Sequence, residues 1–144
     1  MESNAGQPTA NNIPIVAKSM PPAQRLWGKP RERVMRLLDR SRRQRFTFLN
    51  APAGYGKTTA LTDWFYDLTN AGEKAVWFSI DRRDRDSKCF WLNFHYAIYT
   101  ALGLDFEKNL GEAQSMAKNE AILTMANEMS LGARKCGDLF IVIE

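Results

Sequence analysis

The stretch RFTFLNAPAGYGKTTALTDWFYDL, residues 45–68, decides how the rest of the chain is read. Within it, Ala51, Pro52, Ala53, Gly54, Tyr55, Gly56, Lys57 and Thr58 fit the phosphate-binding loop pattern, with Ala in the first glycine slot. Successive backbone N–H groups of such a loop point inward and cradle phosphate oxygens, and the positive end of the following helix adds to the attraction. Gly54 and Gly56 permit backbone angles and a close approach that a side chain would block. Lys57 is placed to reach the β- and γ-phosphates, and the Thr58 hydroxyl to ligate Mg²⁺.

The pattern carries weight only between a strand and a helix. Residues 45–49 are rich in aromatic and β-branched side chains and predict a short buried strand. After the loop, Leu61, Trp64, Phe65 and Leu68 recur at helical spacing, and Gly72 supplies a stop. A chance Gly-Lys-Thr in a turn would not carry these flanks.

Working outward toward the N-terminus, residues 1–20 are rich in Asn, Pro, Ala and Ser and read as a disordered or loosely attached leader. Residues 21–144 form the expected domain. Pro30 opens a helix over residues 31–40, with Val34, Leu37 and Leu38 as its apolar stripe. Between Arg25 and Arg45 lie nine Lys and Arg residues against Glu32 and Asp39. That run is either a solvated helix face or a basic surface for nucleotide or nucleic acid.

Toward the C-terminus, residues 74–80 predict a second buried strand, followed by a mixed-charge loop from Asp81 to Asp86. An acid there would lie past the carboxyl end of a strand, where ligands of open α/β sheets sit, or would simply belong to a solvated turn. A helix is expected over residues 87–102, with Phe90 or Trp91, Phe94, Ile98 and Leu102 on its core face and Gly103 ending it. His95, the only histidine, has no Cys/His cluster near it in sequence and reads as a core residue. Another helix is expected over residues 112–131. Residues 139–144, LFIVIE, then form a hydrophobic strand ending in a carboxylate. A strand that delivers an acid beside Mg²⁺ is the Walker B element of a phosphate-loop protein; otherwise Glu144 is only an exposed end residue.

With 144 residues, 44% hydrophobic and 25% charged, the chain has the composition of one globular domain. A formal charge of +4 demands neither a nucleic acid nor a membrane partner. Cys89 and Cys136 fit no metal-ligand spacing and are expected to be reduced thiols. No apolar run approaches the ~20 residues of a membrane span, and no secretory signal opens the chain, so a cytoplasmic location is expected. The order of elements predicts an α/β domain of the P-loop NTPase type, with a parallel sheet of about three strands flanked by helices.

Two stretches together resemble one family. The run from Ala51 to Thr59, with Leu61 and Trp64, is similar to the phosphate loop of the MalT-like, ATP-dependent LuxR-type transcriptional regulators, members of the STAND class of signal-transduction ATPases. Residues 76–81, with Arg85, Asp86, Phe90 and Trp91, are similar to the second strand and following helix of that family, and residues 31–34 to its lead-in helix. The resemblance implies an ATP-binding switch in which ATP and Mg²⁺ sit on the loop. Ala51, Pro52, Ala53, Gly54, Tyr55, Gly56, Lys57, Thr58 and Thr59 would contact nucleotide, with Thr58 and Glu144 holding the metal. Lys57 and Glu144 would be the catalytic pair; the family commonly has Asp at the latter position, and its second acid would be residue 145.

The family's sensor arginine, winged helix, inducer-binding superhelix and C-terminal DNA-binding helix-turn-helix lie outside these residues. The resemblance also implies that a fourth strand, after residue 144, separates the loop strand from the Walker B strand. The expectation is therefore the N-terminal piece of a larger regulator: marginally stable, prone to self-association, binding ATP or ADP with little hydrolysis, and meeting DNA only through the missing domain. Two other classes are weighed beside it. One is a nucleoside or small-molecule kinase using Asp81 or Arg82 near the acceptor. The other is a nucleic-acid binder using the basic stretch.

Overall fold

Apolar periodicity and end signals place most elements where the sequence puts them. The structure, a computed structural model, describes residues 13–25, 29–107, 123, 127, 130–131 and 137–144. Helix α1 spans Glu32–Ser41, with acidic Glu32 in its first turn and basic Arg40 in its last, both favourable to the helix dipole. Its buried residue is Leu38; Val34 and Met35 pack beside it, while Leu37 is 54% exposed, so the stripe is rotated from the predicted one. Helix α2 spans Lys57–Asn70 and buries Trp64, Phe65 and Leu68. Helix α3, Ser87–Leu102, starts where the Asp86 carboxylate accepts the N–H groups of Lys88 and Cys89 at 2.8 and 3.1 Å.

Strands β1, Lys74–Phe78, and β2, Leu139–Ile143, pair in parallel with Lys74 opposite Leu139 and Phe78 opposite Ile143. Alternation along β1 sends Ala75 and Trp77 to one face and Val76 and Phe78 to the other, and both faces are covered. On the first, Ala75, Trp77 and Val142 meet Leu38 of α1 and Trp64, Phe65 and Leu68 of α2. On the second, Val76 and Phe78 meet Ala97, Ile98 and Leu102 of α3. Helices on both sides explain why β1 reads as a continuous apolar run. The chain is thus mixed helix and strand around a small parallel sheet, and no helix among the described residues is long and apolar enough to cross a membrane.

One expectation is corrected. Residues 45–49 form no strand: Phe46 and Phe48 are 71% and 85% exposed and touch each other edge-on at 4.6 Å. A strand needs a ladder partner, and the described sheet contains only β1 and β2, each the neighbour of the other. The sheet therefore has two described strands, not three. Within the stretch read as a leader, Val16–Ser19 forms a 3-10 turn and buries Lys18. Cys89 is a free thiol. The predicted helix over residues 112–131 and the thiol of Cys136 fall largely or wholly outside the described residues.

Candidate functional site

The candidate site assembles where the loop enters α2. Gly54 and Gly56 both take left-handed backbone angles, φ 80° and 76°, a conformation that costs an L side chain energy and leaves glycine free. Gly56 is the N-cap of α2, and its carbonyl accepts the Ala60 N–H at 3.0 Å, the first bond of the helix. Lys57, Thr58 and Thr59 thus form the first turn, where the unpaired N–H groups and the helix dipole favour an anion. Around the bend, the Tyr55 N–H donates to the Pro52 carbonyl at 3.4 Å, and Ala53, Gly54 and Tyr55 form an exposed rim.

Lys57 folds back on its own loop. Its Nζ donates to the carbonyls of Ala51 and Pro52, at 2.6 and 3.0 Å. Both are neutral acceptors, which a phosphate oxygen would outcompete for an ammonium. One residue on, the Thr58 hydroxyl donates to Glu144 Oε1 across 86 residues of sequence. Glu144 reaches that position because β2 delivers it. Its N–H donates to the Phe78 carbonyl at 3.0 Å and its own carbonyl accepts the Ile80 N–H at 2.7 Å, extending the pairing past β1. The loop threonine and the strand-end carboxylate, predicted separately, therefore meet.

Other neighbours were not legible as site residues. Arg31, at the start of α1, donates from Nη1 to the Tyr55 carbonyl at 3.1 Å and so grips the loop's outer rim. Arg25 pairs with the largely buried Asp63 of α2 at 2.6 Å. Arg42 pairs with Asp39 and Glu73. Several arginines of the basic stretch are thus spent inside the molecule. Asp81 is engaged as well: hydrogen bonds from Arg83 above all, helped by Lys18, hold its carboxyl well below the ordinary carboxylate range. Together Asp81 and Asp84 form a capping box on the 3-10 turn Arg82–Arg85. His95 is buried at 1% exposure and stacks on Trp91, and neither ring nitrogen has a partner among the described residues. Burial pushes its pKa down to about 4.

Whether these residues suit Mg²⁺ can be asked of the donors present. Thr58 and Glu144 offer hard oxygen atoms side by side, and among the described residues no group of three or more His, Cys, Asp or Glu forms a dedicated metal cage. Mg²⁺ in nucleotide sites takes one or two protein oxygens and completes its shell with phosphate and water, so the donor set fits.

No protein-family model matches the chain, and no solved structure matches it significantly. Curated relatives do. The chain is 38% identical over 73 residues, 51% of its length, to the HTH-type transcriptional regulator MalT of Yersinia pestis (strain Pestoides F). It is 32% identical over 100 residues, 69% of its length, to the protein of the same name from Vibrio campbellii (strain ATCC BAA-1116). The match spans only 8% and 10% of those relatives. Over that short region, the chain is similar to MalT-type transcriptional regulators.

Proposed function

We propose that this chain is the nucleotide-binding part of a MalT-like transcriptional regulator, taking Mg-ATP on the loop from Ala51 to Thr59 in a STAND-type P-loop module. The observation that carries the reading is the meeting of Thr58 and Glu144 at the mouth of a loop whose two glycines are left-handed. Lys57, now on two neutral carbonyls, would exchange them for phosphate oxygens. The N–H groups of the first turn of α2 would face the same phosphates. Bound Mg²⁺ would neutralise phosphate charge and fix its geometry, with Thr58 and Glu144 as its protein ligands.

Binding rather than turnover is the activity expected of these residues, because Asp81 and Asp84 already serve Arg83 and Lys18. Those commitments also weaken the kinase reading, which needs Asp81 free for an acceptor. The internal pairing of Arg25, Arg31 and Arg42 likewise weakens the nucleic-acid reading. Any role with DNA rests on the similarity to the regulators and on no residue described here.

Glu144→Gln tests the metal assignment. It keeps the shape and a hydrogen-bond acceptor but removes the charge that would hold Mg²⁺. ATP affinity measured in Mg²⁺ is expected to fall toward that measured in EDTA. A variant that keeps the full Mg²⁺ dependence rules Glu144 out as a ligand.

A further inference from the structure

Lys18 is a cation with no part in the proposed nucleotide site. It is only 4% exposed, although Lys is almost never buried without a partner. Its Nζ lies 2.5 Å from Asp84 Oδ2 and 3.1 Å from Asp81 Oδ2, and it donates to the Ser79 carbonyl at 3.3 Å. Meanwhile the Lys18 carbonyl accepts the Ser79 N–H at 2.9 Å. One residue of the N-terminal segment therefore holds both backbone polar groups of Ser79. Three positions earlier, the Ile15 N–H donates to Asn93 Oδ1 at 2.6 Å, and Asn93, itself buried, donates on to the Cys89 carbonyl at 2.7 Å. The segment is thus pinned at two points, to α3 and to the end of β1.

Ser79 matters because of its neighbours. The residue before it, Phe78, accepts the Glu144 N–H, and the residue after it, Ile80, donates to the Glu144 carbonyl. Glu144 is therefore suspended from the two residues that flank the one Lys18 grips. The grip is electrostatic as well as geometric. Asp81 and Asp84 belong to the turn that follows at once, and the Asp84 side chain is 1% exposed. Among the described residues the Arg83 side chain hydrogen-bonds to Asp81 and acts on Asp84 through charge alone. Without Lys18 the buried Asp84 carboxylate loses its ion-pair partner and keeps the Asp81 N–H at 2.7 Å, so the turn has reason to open.

We propose that Lys18 is a positioning residue for Glu144, and that Val16–Ser19 is a strap setting where this carboxylate stands relative to Thr58. The inference rests on the nucleotide reading above for its functional meaning. Its structural core, a coupling between Lys18 and Glu144, stands independently.

The test uses the full chain and amide exchange followed by NMR. Lys18→Met alone strands a buried carboxylate and risks unfolding, so the decisive variant is Lys18→Met/Asp84→Asn, which removes both charges with little change in volume. Exchange at Ile80 and Glu144 is expected to accelerate at least about tenfold while the Leu68 and Ile98 amides stay protected. In the same variant the gain in ATP affinity on adding Mg²⁺ should shrink, with the affinity in EDTA unchanged. Unaltered exchange at Ile80 and Glu144 in the folded variant overturns the proposal. Uniform acceleration across the chain does so too, because it marks a merely structural role. A wild-type protein with no Mg²⁺-dependent ATP binding refutes the nucleotide reading instead, and the exchange pattern then decides the Lys18–Glu144 coupling by itself.

Discussion

Replacing Gly56 by Ala separates what the loop costs from what it does. At φ 76° the added Cβ meets nothing closer than Thr59 Oγ1 at 3.9 Å, so no clash arises and the penalty is conformational alone. Holding an L-residue in the left-handed region costs about 1–2 kcal/mol. Gly→Ala also stiffens the unfolded chain, which returns roughly 0.4–1 kcal/mol. The net loss is about 1 kcal/mol, or roughly 3–4 °C in melting temperature for a chain of this size. Gly72 provides the control: its φ is 83°, its Cβ position is equally open, and it sits past the far end of α2. Thermal melts by circular dichroism should therefore move alike for Gly56→Ala and Gly72→Ala. Calorimetry with Mg-ATP should not, because of the two only Gly56 stands at the N–H groups proposed to meet the phosphates. A loss of about tenfold or more in affinity is expected for Gly56→Ala and none for Gly72→Ala. Equal affinities in both variants would refute the assignment of these N–H groups to phosphate, and an unchanged Gly56→Ala melt would refute the left-handed geometry.

Two further outcomes follow from the same structure. His95, whose folded pKa of about 4 lies below its ordinary value near 6.5, stays neutral in the fold while the unfolded chain takes up a proton. Its share of stability is present above pH ~6.5 and lost as pH falls toward 4, at most about 1.4 kcal/mol per pH unit, and His95→Phe should flatten that part of a urea-midpoint profile. The exposed pair Phe46 and Phe48 should drive self-association, so Phe46→Ser/Phe48→Ser should lower the sedimentation-average mass while changing stability by less than about 0.5 kcal/mol. A mass that does not respond would place the association elsewhere.

The elements legible in the sequence were those specified locally. Leu61, Trp64, Phe65 and Leu68 gave α2 its period, and Phe94, Ile98 and Leu102 with Gly103 marked α3, so both helices fall where periodicity puts them. Lys57 and Thr58 stood out because the loop pattern is written in consecutive residues, and the structure sets them in the first turn of α2. Glu144 was legible as an acid ending an apolar strand, and the pairing of β2 with β1 brings it to Thr58. Residues 45–49 misled because strand composition reports a side chain's preference for a pleated, half-buried surface, whereas a strand exists only where a neighbour completes its ladder. Lys18 was hidden for the opposite reason. It stands in a short Pro-containing segment without helical or strand periodicity, and its partners Asp81 and Asp84 lie more than sixty residues away. Its trace in the sequence is three acids, Asp81, Asp84 and Asp86, interleaved with arginines in one short loop.

The most direct test of the central claim is calorimetric titration of the purified chain with Mg-ATP, with Lys57→Ala measured in parallel. Lys57 is expected to trade the Ala51 and Pro52 carbonyls for phosphate oxygens, so the account predicts micromolar binding to the wild-type chain and none to a Lys57→Ala variant that still melts cooperatively. Binding of equal strength to both proteins, or none to a folded wild type, would contradict it.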